Sequence, residues 1–365
     1  MNELSKVSVV LPSLDPDEKL IAVIDGLLEY GFSDIILVND GSKPENLHYF
    51  EEMAAQHPEV TLLHHPVNRG KGAALKTAFT WFLENRPDSS GVVTVDGDNQ
   101  HHPEDTRSCS LHMLAHGSIV LGCRDFSLPQ VPFKSRNGNR ITSAVFKIFC
   151  GMTLSDTQTG LRAIPAKYLK LLTQVYGDRF EYETNMLLAM KDHSLPYDEV
   201  KIRTVYIEEN KSSHFRAVRD SWRIYKLILA HFFRYTLSSI STGVLEIALV
   251  ALLTAWLNTL LQDPWLTYTV SGISRVISSV ANFIINQRLV FRKKGNTGKA
   301  ALRYYLLAVP QMLVQMLLTD GAYALFGITE AQVALRTVIY VAVMAVLFIA
   351  SYMIQQRWVF KNDDK

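Results

Sequence analysis

The sequence predicts an α/β domain with a mostly parallel sheet, followed by an all-α domain of four transmembrane helices. Up to about residue 225, short β-branched runs alternate with stretches of helical apolar spacing, as in a parallel sheet covered by helices. Beyond that point the chain consists of long apolar stretches with short polar breaks. The net charge of +2 averages two unlike halves and predicts no nucleic-acid partner.

The compartment of the first half follows from its cysteines and its N-terminus. Cys109, Cys123 and Cys150 are scattered without ligand-like spacing, so neither a disulfide framework nor a zinc site is predicted. Residues 1–6 lack a cationic segment followed by an apolar one, so no cleavable signal is expected. The first half is therefore predicted to stay in the cytosol.

The elements of the first half alternate regularly. β-Branched runs followed by turn residues predict strands, and apolar residues at helical spacing predict the helices between them. The predicted strands are 7–11, 35–38, 60–63 and 91–95, and the predicted helices are 18–29, 46–56 and 73–83. A further extended segment is predicted over 201–207.

Polar residues suited to a nucleotide diphosphate follow three of these strands. Asp40 follows the second strand and can accept hydrogen bonds from a base or ribose. Arg69 and Lys71 lie in a glycine-rich turn that enters a helix, where phosphate is favoured. Asp96 and Asp98 follow the fourth strand and can hold Mg²⁺ or Mn²⁺, which prefer oxygen ligands. Each feature alone could be turn or cap chemistry, but their joint placement favours a functional site.

Several motifs extend this pattern along residues 7–207. They are Val9-Val10-Leu11-Pro12, Val38-Asn39-Asp40-Gly41-Ser42, Asn68-Arg69-Gly70-Lys71-Gly72, Asp96-Gly97-Asp98-Asn99-Gln100-His101-His102-Pro103, Gly122-Cys123-Arg124 and Ser155-Asp156-Thr157-Gln158-Thr159-Gly160-Leu161-Arg162. Together they resemble family 2 glycosyltransferases of the GT-A fold, in the branch of dolichyl- or polyprenyl-phosphate sugar synthases. The chain departs from the family's early Tyr-Asn-Glu, reading Ser13-Leu14-Asp15-Pro16 there.

The resemblance implies inverting transfer of a sugar from a nucleotide-diphosphate donor to a lipid phosphate. It implies a Mg²⁺ or Mn²⁺ site at Asp96, Asp98 and Gln100, and a donor site lined by Pro12, Asp15, Asp40, Arg69, Lys71 and Asp96. Arg124 and Arg136 would clamp phosphate oxygens, a task suited to the planar guanidinium. Asp156 and Gln158 would shape the acceptor or sugar pocket. A phosphate monoester is already largely ionised at neutral pH, so no general base is assigned.

Two alternatives concern acidic residues in the later motifs. Asp156 could instead form a buried pair with Arg162 that fastens a loop. Glu183, near the start of a predicted helix, is interpreted as a helix cap rather than a site residue.

Residues 211–233 read as amphipathic interfacial helices between the two halves. One stripe is apolar and aromatic and another is cationic, namely Val218, Trp222, Tyr225, Leu229 and Phe232 against Arg216, Arg219, Arg223 and Lys226. Such a helix suits an anionic lipid surface. The alternative is a charged helix packed against the catalytic domain.

Residues 234–365 contain four predicted spans, at about 237–257, 266–285, 302–326 and 333–354. The break between the second and third spans is rich in lysine and arginine, whereas the other two breaks contain neither residue. The positive-inside rule therefore predicts that this loop, the catalytic domain (residues 1–210) and both termini are cytoplasmic. The protein is predicted to be a multi-pass protein of the cell membrane.

The membrane half contains an internal repeat with an offset of 69 residues. Arg234-Tyr235 recurs as Arg303-Tyr304, and 282–291 recurs as 351–360. Residues 228–361 resemble the GtrA-like family of four-helix membrane proteins. A homo-oligomer formed through this domain is a further expectation.

Two sets of charged residues lie in or beside the spans. Glu246 and Arg275 lie at similar depth and are predicted to pair. The repeated arginines could grip a lipid phosphate near the inner interface or extend to headgroups; they are Arg234, Arg288, Arg303 and Arg357.

The leading hypothesis is a membrane-anchored enzyme that moves mannose, glucose or N-acetylglucosamine from a UDP- or GDP-sugar to undecaprenyl or dolichyl phosphate. A processive polysaccharide synthase is the enzyme alternative, although the first half has no Gln-X-X-Arg-Trp motif. A lipid-linked sugar translocator with a secondary catalytic domain is the third hypothesis.

Overall fold

The computed structural model describes residues 3–129, 131–204, 217–262, 264–291, 296–330 and 332–361. The chain divides into two compact units, Met1–Leu227 and Ile228–Lys365. The first unit is an α/β domain and the second is helical, as the sequence predicts.

The described part of the first unit contains one seven-stranded sheet in the order β3-β2-β1-β4-β6-β5-β7. Its strands are β1 (Val7–Ser13), β2 (Ile35–Asp40), β3 (Val60–His65), β4 (Gly91–Thr94), β5 (Ile119–Arg124), β6 (Arg162–Pro165) and β7 (Tyr197–Ile202). Only β6 runs antiparallel to its neighbours β4 and β5. The carboxyl ends of the other strands therefore share one edge of the sheet.

Helices cover both faces of the sheet, so its central strands are buried. The helices of this unit are α1 (Lys19–Glu29), α2 (Leu47–Gln56), α3 (Lys71–Asn85), α4 (Pro103–His116), α5 (Phe133–Val145), α6 (Ala166–Leu172) and α7 (Glu181–Asp192). Every residue of β2 and β4 is buried, which explains why these strands read as unbroken apolar runs.

The four strands predicted from the first hundred residues are confirmed. The predicted extended segment 201–207 overlaps only the end of β7, which closes at Ile202, and 205–207 lie outside the described residues. Strands β5 and β6 had no prediction. β6 has only four residues and contains Arg162, so it lacks the apolar run by which a strand is recognised.

The second unit contains four helices long and apolar enough to cross a membrane, within the described ranges. They are α8 (Ala217–Leu257), α9 (Trp265–Ile285), α10 (Thr297–Leu325) and α11 (Val333–Ile354). The second and fourth predicted spans match α9 and α11 to within a residue at either end. The candidate spans in α8 and α10 begin at Phe232 and Thr297, five residues before the predicted starts at 237 and 302. From residue 217 the predicted interfacial segment is continuous with the first span, and 211–216 lie outside the described residues.

The two copies of the repeat meet through equivalent residues. Asn286 donates a hydrogen bond to Gln355, with 3.2 Å between Nδ2 and Oε1. The rings of Phe291 and Phe360 stack, with their centroids 5.0 Å apart. The members of each pair lie 69 residues apart, so the contacts are those expected of an approximate two-fold axis between the repeats.

Aromatic contacts on either side of this axis repeat in the same way. The rings of Tyr235 and Tyr352 are 5.2 Å apart, and the equivalent rings of Tyr304 and Phe283 are 5.4 Å apart. Both helical hairpins also end in a short π-helical turn, at Asn286–Val290 and Gln355–Val359. The sequence repeat is therefore a structural repeat.

The predicted pairing of Glu246 with Arg275 is confirmed. Arg275 Nε lies 3.3 Å from Glu246 Oε1, and the Ser278 hydroxyl donates to Glu246 Oε2 at 2.9 Å. Both charges lie within candidate spans. Each therefore depends on the other in a surrounding with little water.

We expect the Glu246→Ala variant to be less stable than the Glu246→Ala/Arg275→Ala double variant, by about 1–3 kcal/mol. The single change leaves an arginine in the span without its carboxylate, whereas the double change removes both charges. Unfolding of the full-length protein in detergent would measure the difference, with Glu330→Ala in an exposed break as control. Equal or smaller destabilisation in the single variant would contradict the pairing argument.

Candidate active site

The turn after β4 presents two carboxylates at the edge of the sheet. Asp96 and Asp98 are both half-buried there. The backbone N–H of Gln100 donates to Asp98 Oδ1 at 3.1 Å, and Asn99 has a left-handed backbone with φ 59°. The turn therefore fixes Asp98 beside, but separate from, Asp96.

Lys71 joins Asp96 to a third carboxylate. Its Nζ lies 2.7 Å from Asp96 Oδ1 and 3.0 Å from Glu183 Oε1. Glu183 lies in the first turn of α7, where no side-chain cap is formed. The interpretation of Glu183 as a helix cap is therefore wrong, because its carboxylate binds the ammonium group of Lys71.

Two glycines bring α3 close enough to α7 for this contact. Gly70 has a φ of +103°, which L side chains rarely adopt. A Cβ on Gly72 would lie only 2.5 Å from Tyr182 Cβ, so the start of α3 packs directly against α7. The Ala73 N–H completes the junction by donating to the Asp178 carbonyl at 2.9 Å.

The charges of the site shift its pKa values in opposite directions. Burial alone would lower the pKa of Lys71, but the carboxylates of Asp96 and Glu183 raise it above its ordinary value. Burial likewise opposes ionisation of Asp96, yet Lys71 and His101 hold the pKa of Asp96 well below its usual range. Burial and the neighbouring Asp96 raise the pKa of Asp98. Lys71 and His101 act on Asp98 in the opposite direction but do not offset that rise.

The residues present fit a hard divalent cation at Asp98. Throughout the described ranges no three His, Cys, Asp or Glu residues converge as metal ligands, and no ion pair includes Asp98. Mg²⁺ and Mn²⁺ commonly take one or two carboxylates and complete their shell with water and substrate phosphates. Asp98 would supply such a ligand, with Gln100 beside it, whereas Asp96 is engaged by Lys71.

A segment behind Asp96 limits its position. A Cβ on Gly160 would lie 2.3 Å from Asp96 Oδ2, so only glycine leaves room for the carboxylate as placed. Thr94 Oγ1 donates to the Gly160 carbonyl at 2.6 Å and ties this segment to β4. His101 Nε2 lies 3.6 Å from Asp96 Oδ2. Glu183, Gly160 and His101 are site residues that the sequence reasoning did not assign.

Asp40 is placed beneath the glycine-rich turn rather than facing a ligand. Only 3% of the residue is exposed. Its carboxylate accepts from the backbone N–H of Arg69 at 3.0 Å and of Gly70 at 2.7 Å, and contacts His65 Nδ1 at 2.7 Å. Both oxygens accept hydrogen bonds or contact His65, so Asp40 shapes the turn. Contact of Asp40 with a nucleoside stays a prediction.

We expect Asp40→Ala to destabilise the protein by about 3 kcal/mol, because it leaves two backbone donors and a buried histidine without their acceptor. Thermal unfolding of the full-length protein measures this loss. The exposed Asp88→Asn should leave the melting temperature unchanged. Unchanged stability in Asp40→Ala would contradict the role given to Asp40.

Asp15 fastens the turn after β1 to the loop after β2. Its Oδ1 accepts from the backbone N–H of Lys43 at 2.8 Å, and its own N–H donates to Ser42 Oγ at 2.8 Å. Pro12, the other early residue of the predicted donor site, lies within β1 opposite Val38. Both residues lie at the same edge of the sheet as Asp96.

Arg124 and Asp156 form a bidentate pair. Arg124 Nε lies 2.7 Å from Asp156 Oδ2, and Nη2 lies 3.2 Å from Oδ1. The alternative in which Asp156 pairs with Arg162 is wrong, because β6 directs Arg162 toward the Thr159 and Glu183 carbonyls. Asp156 is fully buried, and its side chain orients Arg124. Its role in shaping an acceptor or sugar pocket stays a prediction.

Gln158 and Arg136 are held by contacts of their own. The backbone N–H of Gln158 donates to Asp156 Oδ1 at 3.0 Å. Arg136 lies in α5 and donates from Nη2 to the Leu128 carbonyl at 2.8 Å. A cleft of about 410 Å³ adjoins this region. It is lined by residues 123–127, which include Arg124, and by Ser155, Glu199 and Lys201.

Both halves of the chain match known families. Residues 8–182 match Glycosyl transferase family 2, and residues 234–360 match the GtrA/DPMS transmembrane domain. A dolichyl-phosphate beta-glucosyltransferase, ALG5A, of Trichomonas vaginalis is 34% identical over 240 residues, covering 62% of this chain and 73% of that protein.

Two prokaryotic relatives carry other sugars in their names. A UDP-N-acetylglucosamine–dolichyl-phosphate N-acetylglucosaminyltransferase of Methanococcus voltae is 26% identical over 55% of this chain and 86% of its own length. An undecaprenyl-phosphate mannosyltransferase of Micrococcus luteus is 26% identical over 46% of this chain and 69% of its own length. These relatives share a polyprenyl-phosphate acceptor and differ in the sugar.

The matches confirm the resemblances drawn from the motifs, and the four membrane-capable helices together with the matched membrane domain identify a membrane protein. The chain belongs to glycosyl transferase family 2, and its second unit is a GtrA/DPMS transmembrane domain.

Proposed function

We propose that this protein transfers a sugar from a nucleotide-diphosphate donor to polyprenyl phosphate, with inversion, at the cytoplasmic face of the membrane. The observation that carries the proposal is a carboxylate, Asp98, that forms no ion pair with any described residue and lies beside the fixed ammonium group of Lys71, at the carboxyl edge of a sheet. The same chain supplies four membrane-capable helices. The names of the relatives support a polyprenyl-phosphate acceptor and a sugar among glucose, mannose and N-acetylglucosamine.

The reaction requires little proton transfer by the protein. An oxygen of the lipid phosphate forms a bond to the anomeric carbon, and the bond from that carbon to the donor's diphosphate breaks, leaving a nucleoside diphosphate. The attacking phosphate monoester is already largely ionised, so a general base is not needed. The chain has instead to place two phosphate-bearing substrates and to stabilise the diphosphate that leaves.

The described residues divide these tasks. Asp96 and Glu183 hold the Lys71 ammonium group where it can contact the departing diphosphate. A divalent cation bound at Asp98 and Gln100 would neutralise further charge on that group. We assign Arg124 and Arg136 to phosphate oxygens of the acceptor or donor, with Asp156 fixing the Arg124 guanidinium plane.

The domain boundaries and the topology belong to the proposal. We assign residues 1–210 to catalysis, 211–233 to the membrane surface and 234–365 to the membrane domain. The basic residues in the break between the second and third spans support a cytoplasmic position for that loop, the catalytic domain and both termini.

The test is a donor panel. Full-length protein in detergent is incubated with undecaprenyl or dolichyl phosphate, Mn²⁺ and radiolabelled UDP- and GDP-sugars, and the lipid is extracted. We expect one donor to label the lipid. Absence of lipid label with every donor, while the protein remains folded, would overturn the proposal. A label on long water-soluble polymers would favour the processive synthase.

A further inference from the structure

Three separate parts of the first unit meet at the Lys71 ammonium group. Lys71 starts α3, Asp96 lies in the turn after β4, and Glu183 belongs to α7. The exposed fractions of these three side chains are 19%, 29% and 16%. The ammonium group thus lies between two carboxylates in a surrounding that excludes most water, where charges interact strongly.

The charges around Lys71 would be unfavourable without it. Asp96, Asp98 and Glu183 bring three carboxylates to one half-buried region. Together, the three carboxylates and the Lys71 ammonium group carry two net negative charges, which a single divalent cation can balance. His101, 8% exposed and in contact with Asp96, keeps a buried Nδ1 that has no partner in the part of the chain described.

We infer that Lys71 is a built-in cation that occupies the place of a second metal ion between Asp96 and Glu183. Asp98 is then the carboxylate left for the single divalent cation that the transfer uses. Glu183 is a positioning residue, because it acts on the donor site through Lys71. The inference rests on the proposed function only for the role of that cation in transfer.

An ordinary ion pair on the same helix provides the comparison. Lys76, also in α3, lies 3.0 Å from Asp178. The Asp178 side chain is 65% exposed, so water can replace the lysine there. Lys76 contacts one carboxylate and Lys71 contacts two. Removal of Lys76 should therefore leave cation binding unchanged.

The first test compares the two aspartates in metal binding. Mn²⁺ is titrated into nucleotide-free, chelator-treated full-length protein, and free Mn²⁺ is measured by electron paramagnetic resonance. Because Lys71 already compensates Asp96, Asp96→Asn should change the Kd by less than about threefold, whereas Asp98→Asn should weaken binding more than about tenfold. Equal losses in the two variants would overturn the inference.

The second test removes the built-in cation. Lys71→Met should bind Mn²⁺ about tenfold more tightly than the unchanged protein, because it frees two carboxylates for the metal. The Lys71→Met/Glu183→Gln double variant should lose most of that gain, and Lys76→Met should show none. Unchanged affinity in Lys71→Met would overturn the inference.

Folding of Lys71→Met is checked in the same samples. Three uncompensated carboxylates should lower its melting temperature in chelator, and Mn²⁺ should restore more of that loss than it adds to the unchanged protein. If Lys71→Met cannot be purified, the comparison of Asp96→Asn with Asp98→Asn decides alone. All these experiments measure Mn²⁺ binding or thermal stability, not sugar transfer. Failure of the donor panel therefore leaves them standing, and their failure leaves lipid labelling standing.

Discussion

The Asp98→Asn variant is expected to transfer sugar at least about a hundredfold more slowly than the unchanged protein. The substitution keeps the shape of the side chain and removes a charge that forms no ion pair within the described site. The measurement is the initial rate at saturating donor and lipid phosphate, with Mn²⁺ present. The loss should appear in kcat, because the charge on the departing diphosphate develops only as the bond breaks.

Stability separates a loss of chemistry from a loss of fold. Asp98 has a raised pKa in the structure, so neutralising it relieves repulsion from Asp96 and should not lower the melting temperature. Asp88→Asn, on the exposed loop before β4, is the matched control and should retain full activity. An Asp98→Asn variant with unchanged kcat would contradict the role of this carboxylate.

The Gly160→Ala variant is expected to lose about a hundredfold in activity although it adds only a methyl group. The new Cβ would lie 2.3 Å from Asp96 Oδ2, so the carboxylate has to turn away. Its contact with Lys71 at 2.7 Å then breaks, and the ammonium group loses one of its two holders. The methyl group therefore acts on the donor site indirectly. It displaces Asp96, and the displaced Asp96 no longer holds Lys71.

Gly138→Ala is the control for this substitution. Gly138 lies in α5, and a Cβ there would meet nothing within 4 Å. Alanine at that position should leave activity unchanged and raise stability slightly, because glycine is a poor helix former. Comparable rates in Gly160→Ala and Gly138→Ala would show that Asp96 does not need its observed position.

The elements of the first unit that the sequence predicts are those with strong apolar patterns. β1, β2 and β4 are rich in apolar, often β-branched residues, and nearly every residue in them is buried. β3 is less buried but begins with the same kind of run. The reversed strand β6 escaped prediction because it has four residues and includes the buried Arg162, whose charge is met by backbone carbonyls. Such compensation comes from tertiary contacts and leaves no local signal.

The candidate site was predicted where the motifs lie next to strand ends. Asp96, Asp98 and Lys71 follow predicted strands, and the parallel topology brings them to one edge. Glu183 lies 112 positions after Lys71 in the chain, and a first-turn glutamate has a sufficient local explanation as a cap. Its contact with Lys71 depends on the close packing of α3 against α7, which only the fold reveals.

The partner of Asp156 shows the same limit. Arg162 is the nearer arginine in sequence, six positions away, whereas Arg124 is 32 positions away. The pairing is decided by neighbouring strands, because β5 places Arg124 beside the loop that carries Asp156. In the membrane half, helical depth sufficed to predict the Glu246–Arg275 pair, because depth follows from regular helical spacing.

The released nucleotide tests the central claim most directly. With the donor identified by the panel, the full-length protein is incubated with polyprenyl phosphate, and both the nucleotide product and the glycolipid are quantified. The proposed transfer predicts one nucleoside diphosphate per glycolipid, a sugar of inverted anomeric configuration joined through one phosphate, and loss of both products in Asp98→Asn. Release of a nucleoside monophosphate, or a lipid carrying the sugar through two phosphates, would contradict it.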